Sequence, residues 1–490
     1  MRNIDFENVF SKIEPDDALK SKIMDRMENG EMKKSTRNNI RRMVAIAACV
    51  AIAGISTAFA AGSVISYFQS DKAIDITSME ALSEYNDEVG ATVSNFGYTL
   101  TLDNLATDDN FMHIFYTLKK DNAVMTEPDY YNFWFLCRIN GKLANFGNHN
   151  EEKAYPTEDG AYKGVIKLNI ADMDVPDTFM LEMYSEPATV TKENSSFEGD
   201  YLYDDNTVLT DADKAKLLYV STTAKKSSVE TKSVVKEVNK KFPFTYYDEI
   251  YDKKGNASQV EKQGEGEISK VVFSPFGSQL VVKDKFEGYG GMKISGSAVF
   301  DENGQSLDVL NTDLGGGRVG VDCVNKIELL KADANTKALK IVPTKGDMRY
   351  NEDKTSVQQI GTYPLTFKTS DYGSVVVTNV RFSDGMFEID YYKDGFSLYD
   401  PAFRTMDKDG NIVEPGGKLG CLLTTIVHHD TNSYTARYEY CGEFDENGNK
   451  KPFDMSTISK ENLEKAFTRL SINYYDFELD YDNAIDIDLK

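Results

Sequence analysis

Cysteine, histidine, tryptophan and positive charge are all scarce in this chain of 490 residues. Five Cys cannot frame so long a fold with disulfides, and the chain is large enough to bury cores without them. Cys49 lies in an apolar run, while Cys137, Cys323, Cys421 and Cys441 are scattered beyond it. Only Cys421 and Cys441 stand close enough together to be tested as a pair; Cys137 and Cys323 read as core residues. The four His (His113, His149, His428 and His429) have no metal-ligand spacing to one another, to Cys or to an acid. His428 and His429 on a regular strand would point to opposite faces and could not share an ion. No G-x-S-x-G, H-E-x-x-H, Walker or S-x-x-K pattern is present. No catalytic, cofactor or metal residue is therefore expected, and no enzyme activity. With 12 Pro and 34 Gly, collagenous and low-complexity classes are excluded. The 55 Lys+Arg against 79 Asp+Glu, net −24, argue against a nucleic-acid partner, which needs a basic face.

The charge that is present is unevenly placed. Residues 1–42 hold 10 basic and 8 acidic side chains, net +2, and the remainder is net −26. Lys33, Lys34, Arg37, Arg41 and Arg42 form a basic stalk with no acid among them. Then, from Met43 to Ser70, 28 residues pass without a charge. The most apolar stretch is Met43 to Gly62. Twenty residues rising ~1.5 Å each span roughly the 30 Å of a bilayer core. Cations before this run and acids after it orient the N-terminus to the cytoplasm. A retained single-pass anchor is the expected state. A signal peptide cut after Ala58-Phe59-Ala60 is the alternative, although 42 residues make a long leader. A buried core helix fits less well, because the run has no amphipathic face. Either of the first two readings places residues 71–490 outside the cytoplasm.

The N-terminal piece carries two apolar stripes. Phe6, Val9, Phe10 and Ile13 recur at helical spacing; after Pro15, so do Leu19, Ile23 and Met27. Asp16 and Asp17 suit the first turn of the second helix, and Asn29-Gly30 stops it. Helices this short are marginal alone in water. Their stripes must pack on each other or on another protein, unless the piece is a loosely ordered tail.

The remainder reads as antiparallel β. Short alternating runs are bounded by Asn, Asp and Gly. Three passages share one plan: Phe96–Asn104 with Phe111–Leu118, Val271–Ser274 with Gln279–Val282, and Val375–Asn379 with Phe387–Tyr392. Each is followed by a hairpin signal, at Asn140-Gly141, Asn303-Gly304 and Asp409-Gly410. Asn104, Ser274 and Asn379 are expected to open the polar turns. The expectation is a mostly β fold: short N-terminal helices, one transmembrane helix, then tandem antiparallel β-sandwich (Ig-like) modules at 71–225, 226–365 and 366–490. Beyond residue 70, helices are expected only at Thr210–Leu218 and Ser459–Leu470, and residues 222–241 as linker or edge strand. Asp407–Asn411 and Asp445–Asn449 faintly resemble calcium loops, but Gly is misplaced, and hairpin turns explain them. The acid-alternating C-terminus, Phe477–Asp482 and Ile485–Leu489, reads as strand with one polar face.

Taken together, Phe6–Met27, the basic run Lys33–Arg42 and the Ala-rich Met43–Gly62 ending in TAFAAG resemble the anti-sigma-factor-like membrane proteins of Gram-positive (Firmicute) bacteria. Val93–Asn104 resembles the domain of unknown function that typically follows there, and Ile268–Gly277 a second exterior domain. The resemblance covers most of residues 1–345. It implies a regulator whose cytoplasmic helices bind a sigma factor through Phe6, Val9, Phe10, Ile13, Leu19, Ile23 and Met27. Its exterior modules would meet an envelope signal, an unknown extracytoplasmic ligand or the cell wall. The H-x-x-x-C-x-x-C motif of zinc-binding anti-sigma domains is absent, since residues 1–42 contain no Cys or His. Two other readings remain: an envelope adhesion or scaffold protein without a cytoplasmic partner, and a secreted carbohydrate-active enzyme. For the latter, no carboxylate pair can be singled out among the exterior acids.

Overall fold

Alternation of apolar and polar side chains builds strands through most of the described chain. The computed structural model describes residues 82, 86–130, 133–144, 151–186, 208–226, 233–251, 257–284, 294, 296–313, 323–413, 419–443 and 455–489. The expected N-terminal helices, stalk and apolar run lie outside them. Among the described residues no helix is long and apolar enough to cross a membrane.

The first group of strands is β1 (Asn86–Asn95), β2 (Tyr98–Thr107), β3 (Phe111–Lys120), β4 (Leu136–Ile139), β5 (Lys142–Leu143), β6 (Glu151–Pro156), β7 (Tyr162–Asn169), β8 (Thr178–Ser185) and β9 (Leu218–Lys225). They form two antiparallel sheets, β1-β2-β3-β7-β6 and β5-β4-β8-β9. Leu100, Ile114, Tyr116 and Leu118 of one sheet meet Cys137, Ile139, Leu181 and Met183 of the other in one core. A one-turn helix, α1 (Glu127–Tyr130), lies between β3 and β4.

The middle group is β10 (Val234–Tyr251), β11 (Ala257–Ser274), β12 (Gly277–Asp284), β13 (Ser297–Asp301), β14 (Ser306–Asp313), β15 (Cys323–Leu330) and β16 (Ala338–Tyr350). These strands are joined by two from the C-terminus, β25 (Tyr475–Leu479) and β26 (Ile485–Asp488), both paired with β16. The sheet order is β10-β11-β12-β15-β14-β13-β16-β25. Phe242, Ile268, Leu280 and Ile327 share a core with Leu339, Ile341, Ile485 and Ile487, so this sheet folds over its own apolar face.

The third group is β17 (Ser356–Gln359), β18 (Leu365–Lys368), β19 (Gly373–Ser383), β20 (Met386–Gly395), β21 (Phe403–Met406), β22 (Leu419–His428), β23 (Ser433–Glu443) and β24 (Arg469–Ile472). Its sheets are β18-β19-β20-β23-β22 and β17-β24-β21.

One strand order recurs three times. A three-strand meander is followed across the sheet by the second strand of a later hairpin: β1-β2-β3-β7-β6, β10-β11-β12-β15-β14 and β18-β19-β20-β23-β22. In each group, the strand after the meander pairs with the strand after that hairpin: β4 with β8, β13 with β16, β21 with β24. Each central hairpin also carries a bulge in its first strand, at Leu102/Asn104, Ile268/Lys270 and Val377/Asn379. In two of them the extra residue's hydroxyl satisfies the facing strand: Ser269 donates to the Val281 carbonyl and Thr378 to that of Asp390. A bulge strengthens local twist, which lets a long hairpin wrap its core.

These bulges correct the expected turns. Asn104 and Asn379 sit inside strands, and the chain reverses instead at Asp108–Asn110 and Asp384-Gly385. Ser274 does open its turn. Phe96-Gly97, expected to begin a strand, is itself a two-residue hairpin turn with φ of 54° and 77°. Asn140-Gly141 makes the same kind of turn. Left-handed backbone at both central residues matches the twist of the flanking strands. The third module also does not run to the C-terminus, because residues 475–488 return to the middle sheet.

Both expected exterior helices are shorter than their patterns. Thr210 caps α2 (Asp211–Lys214) through a reciprocal pair with Asp213, but Leu218 already opens β9. In α3 (Lys460–Ala466), Leu463 is buried, and Leu470 belongs to β24. Asp407–Asn411 is a turn in which Asp407 accepts from the Asp409 and Asn411 amides. Cys421 faces Tyr440 across the β22–β23 ladder, with a register shift beside it, and not Cys441.

Aromatic rings lie over cross-strand glycines. Phe242 faces Gly266 and Phe244 faces Gly264 in the β10–β11 ladder; Tyr116 lies over Gly164 of β7. A Cβ at Gly164 would stand 2.2 Å from the Tyr116 ring. Gly164→Ala should therefore cost about 1–3 kcal/mol by overpacking, read as a lower denaturation midpoint. An unchanged midpoint would show that the Tyr116 ring moves aside freely.

Candidate functional site

The expected partner-binding residues Phe6, Val9, Phe10, Ile13, Leu19, Ile23 and Met27 lie outside the described residues. So do stalk residues Lys33, Lys34, Arg37, Arg41 and Arg42. Among the described residues, no group of three or more His, Cys, Asp or Glu is placed to hold a metal ion. The most elaborate polar arrangement is a buried seam between the first and middle modules.

Along β3, Met112, Ile114 and Tyr116 point into the first core. Alternation then turns Phe111, His113 and Phe115 to the opposite face, yet these too are buried. The middle sheet covers that face. Its own outward residues, Gln279 on β12 with Lys326 and Glu328 on β15, are buried in turn.

Two hairpin turns clasp each other at one end. Asp108 Oδ1 accepts from the amides of Asn110 at 2.7 Å and Phe111 at 2.8 Å, shaping its own turn. Its Oδ2 accepts from the Phe276 amide in the β11–β12 turn at 2.8 Å. Asn110 Nδ2 reaches the Val272 carbonyl (2.9 Å), Ser274 Oγ (3.0 Å) and the Gly277 carbonyl (2.8 Å). Gly277 has φ of 146°, and a Cβ there would press on Phe111 and Glu328. The close approach thus requires glycine.

Behind the clasp, Lys167 of β7 donates to both carboxylate oxygens of Glu328, at 2.8 and 3.0 Å. Both side chains are at most 5% exposed. The Lys167 ammonium also lies 4.4 Å from the Phe111 ring centroid. Lys326, fully buried, donates to the Asn169 carbonyl at 3.0 Å and to Asp172 at 2.8 Å. His113 packs edge-on against Phe276 with centroids 4.7 Å apart. Its ring nitrogens, like both amide atoms of Gln279, are buried without a partner of hydrogen-bond geometry.

Burial sets the electrostatics. Desolvation pushes the Asp108 carboxyl up to about 6, against the pull of its amide donors. Desolvation also holds His113 well below the usual imidazole range; the Lys167 charge and then that of His429 add to this, and the Ala106 backbone opposes in part. The seam therefore stores a neutral imidazole beside a compensated ion pair.

A second seam joins the middle and third modules. Asp308 of β14 accepts from the Tyr434 hydroxyl at 2.6 Å and pairs with Lys331 at 3.2 Å. Lys331 also donates to the Lys393 carbonyl. Burial, followed by the Asp308 charge, raises the Tyr434 hydroxyl far above the usual phenol range, so it stays a donor.

None of these groups was singled out by motif. A signal did exist: Phe111–Tyr116 contains no charged residue and is apolar on both faces, the mark of a strand covered twice. Its partner Lys326-Ile-Glu328 resembles an ordinary half-exposed strand, and its covered polar face could not be read.

Two outcomes follow from the ion pair and the imidazole. Lys167→Met strands a buried Glu328 charge and should cost about 3–5 kcal/mol, whereas Lys167→Met with Glu328→Met should recover most of it. Denaturant midpoints measure both, and equal losses in the single and double variants would overturn the coupling. For His113, the neutral docked ring contributes no penalty above pH 6.5. Stability is lost as pH falls below 6.5, because only the released ring takes a proton. His113→Phe should thus shrink the drop in melting temperature between pH 7.5 and 5.5. An unaltered drop would remove His113 as the titrating group.

Residues 34–120 match the profile of a domain of unknown function (DUF4179). The matched stretch runs from the stalk through the apolar segment to the last residue of β3. A solved structure described as a conserved domain protein from Bacillus anthracis is similar at 14% identity, over 55% of this chain and 83% of that one, with a TM-score of 0.31. No curated protein matches the chain. Over residues 34–120, including the clasp residues Asp108 and Asn110, this chain is thus similar to a domain of unknown function.

Proposed function

We propose that this protein is a single-pass membrane regulator of the anti-sigma-factor kind. Its N-terminal helices hold a sigma factor in the cytoplasm, and its β modules, read as immunoglobulin-like sandwiches, meet a signal in the envelope. The observation that carries the proposal is the continuity of residues 34–120: the stalk from Lys34 onward, the uncharged run and the first β strands fall within one matched unit. Five cations before twenty uncharged, mostly apolar residues favour insertion with the N-terminus inside. Burial of Phe6, Phe10, Ile13, Leu19, Ile23 and Met27 against the partner supplies the affinity. The interlocked seams favour modules that respond to a signal as one body. A single helix transmits rigid-body shifts poorly, so cutting of the anchor is the release step that suits this architecture.

The test is a pairwise interaction assay of the full chain, in its membrane, against each sigma factor of its own cell. One sigma factor should bind. Phe6→Asp with Phe10→Asp, or Leu19→Asp with Ile23→Asp, should weaken it at least tenfold, and protease added to intact cells should remove residues 71–490 only. Binding by none, or equal binding by the variants, would overturn the proposal in favour of an adhesion or scaffold role.

A further inference from the structure

The junction of the middle and third modules carries exposed tyrosines that no core requires. Tyr350 ends β16 and faces Tyr475, the first residue of β25, across the ladder. Their ring centroids are 6.2 Å apart at 60°. Tyr399, in the loop after β20, stands 4.9 Å from Tyr475 at 61°. Tyr350 is 39% exposed and Tyr399 47%, whereas Tyr391 and Tyr434, stacked in the third core, are sealed.

Hydrogen-bonding groups rim these rings. Arg404 of β21 lies over the Tyr350 ring, 5.5 Å from its centroid, with Nη1 3.4 Å from the Tyr350 hydroxyl. Asn473 Nδ2 donates to the Tyr475 hydroxyl at 3.3 Å, while its Oδ1 is buried without a partner. The adjacent carboxylates are occupied: Asp476 by Lys354 at 2.7 Å and by Asn351, Asp400 by Lys393 at 2.8 Å. Arg404 forms no ion pair among the described residues, in a chain of net charge −24.

We propose that Tyr350, Tyr399 and Tyr475, with Arg404, bind a pyranose glycan that carries a carboxylate. A tyrosine ring offers a flat apolar face to the C–H side of a sugar ring and keeps a polar tip in water. The Arg404 guanidinium, already seated on a ring, presents a planar fork to a carboxylate. Asn473 Nδ2 holds the Tyr475 hydroxyl in place. A proline-rich peptide docks along an aromatic-lined groove, and decaproline tests that alternative. Ligand sites also favour module junctions. The inference deepens the proposed function by naming the class of envelope ligand, and it rests on that reading only for where the ligand is met.

The experiment is calorimetric titration of the full chain in detergent with tetragalacturonate, N-acetylglucosaminyl-N-acetylmuramic acid, neutral chitotetraose and decaproline. One of the two acidic sugars should bind at least tenfold more tightly than chitotetraose. Tyr399→Ala and Tyr399→Leu should each weaken it tenfold or more. Arg404→Gln should erase the preference for acid, while Tyr481→Ala, at an exposed tyrosine outside the patch, should change nothing. Thermal melts establish that each variant is folded. Absence of binding to both acidic sugars, binding indifferent to Tyr399 and Arg404, or binding of decaproline alone would each overturn the proposal. Sigma-factor binding is read separately, so its survival alongside absent sugar binding would sink this inference alone.

Discussion

The Lys167–Glu328 pair governs how the first two modules meet. Taking an ammonium and a carboxylate out of water costs several kcal/mol each, and the attraction offsets this only when the geometry is good and the remaining hydrogen bonds are satisfied. Here both Glu328 oxygens face Lys167, whose ammonium also lies over Phe111. An apolar seam could slide or rotate at modest cost. A buried ion pair admits one register, because a shift of one residue along β15 would replace Glu328 with an apolar neighbour. The clasp of Asp108 and Asn110 on residues 272–277 fixes the same register from the other side. Orientation between these modules is thus specified by polar chemistry, and adhesion by Phe111, Phe115 and Phe276.

The threefold strand order puts one local device to three uses. In the first module the turn of the central hairpin reaches out and clasps. In the middle module the equivalent turn, Ser274–Gly277, is the object clasped. In the third, Asp384-Gly385 receives the segment leading into α3: the Gly385 amide donates to the Ile458 carbonyl and Asp384 accepts from the Lys460 amide. Tips of long hairpins project beyond their sheets, so they diverge without disturbing the core. The bulges stay because twist is needed in every copy.

Much of this architecture was legible in the residues, and what was not has definite causes. Asn-Gly and Asp-Gly turns, apolar alternation and the three related passages all follow from side-chain period and glycine's conformational freedom. Asn104 and Asn379 misled because asparagine is as much at home beside a bulge as in a turn, and one residue's sequence does not distinguish them. The return of β25 and β26 to the middle sheet depends on strand pairing between residues more than 120 positions apart, which no local pattern encodes. The seam was hidden for a related reason. Lys326 and Glu328 alternate with Ile327 and Leu329 as they would on any half-exposed strand, and only the arrival of another module makes that face interior.

That arrival has a consequence for the first module taken alone. The stretch matching the domain of unknown function ends at Lys120, so it contains Asp108, Asn110, Phe111, His113 and Phe115 but none of the groups that cover them. It also lacks β7, which lies beside β3 and supplies Lys167. Without cover, two phenylalanines and a lone imidazole would face water on the outer side of β3, and β3 would be an open edge. Both are liabilities that a folded protein must resolve. Strands β1–β3 are therefore not a self-sufficient folding unit. They are the N-terminal part of a sheet whose outer face is completed by the module that follows, so any force or ligand that undocks the middle module exposes β3 directly.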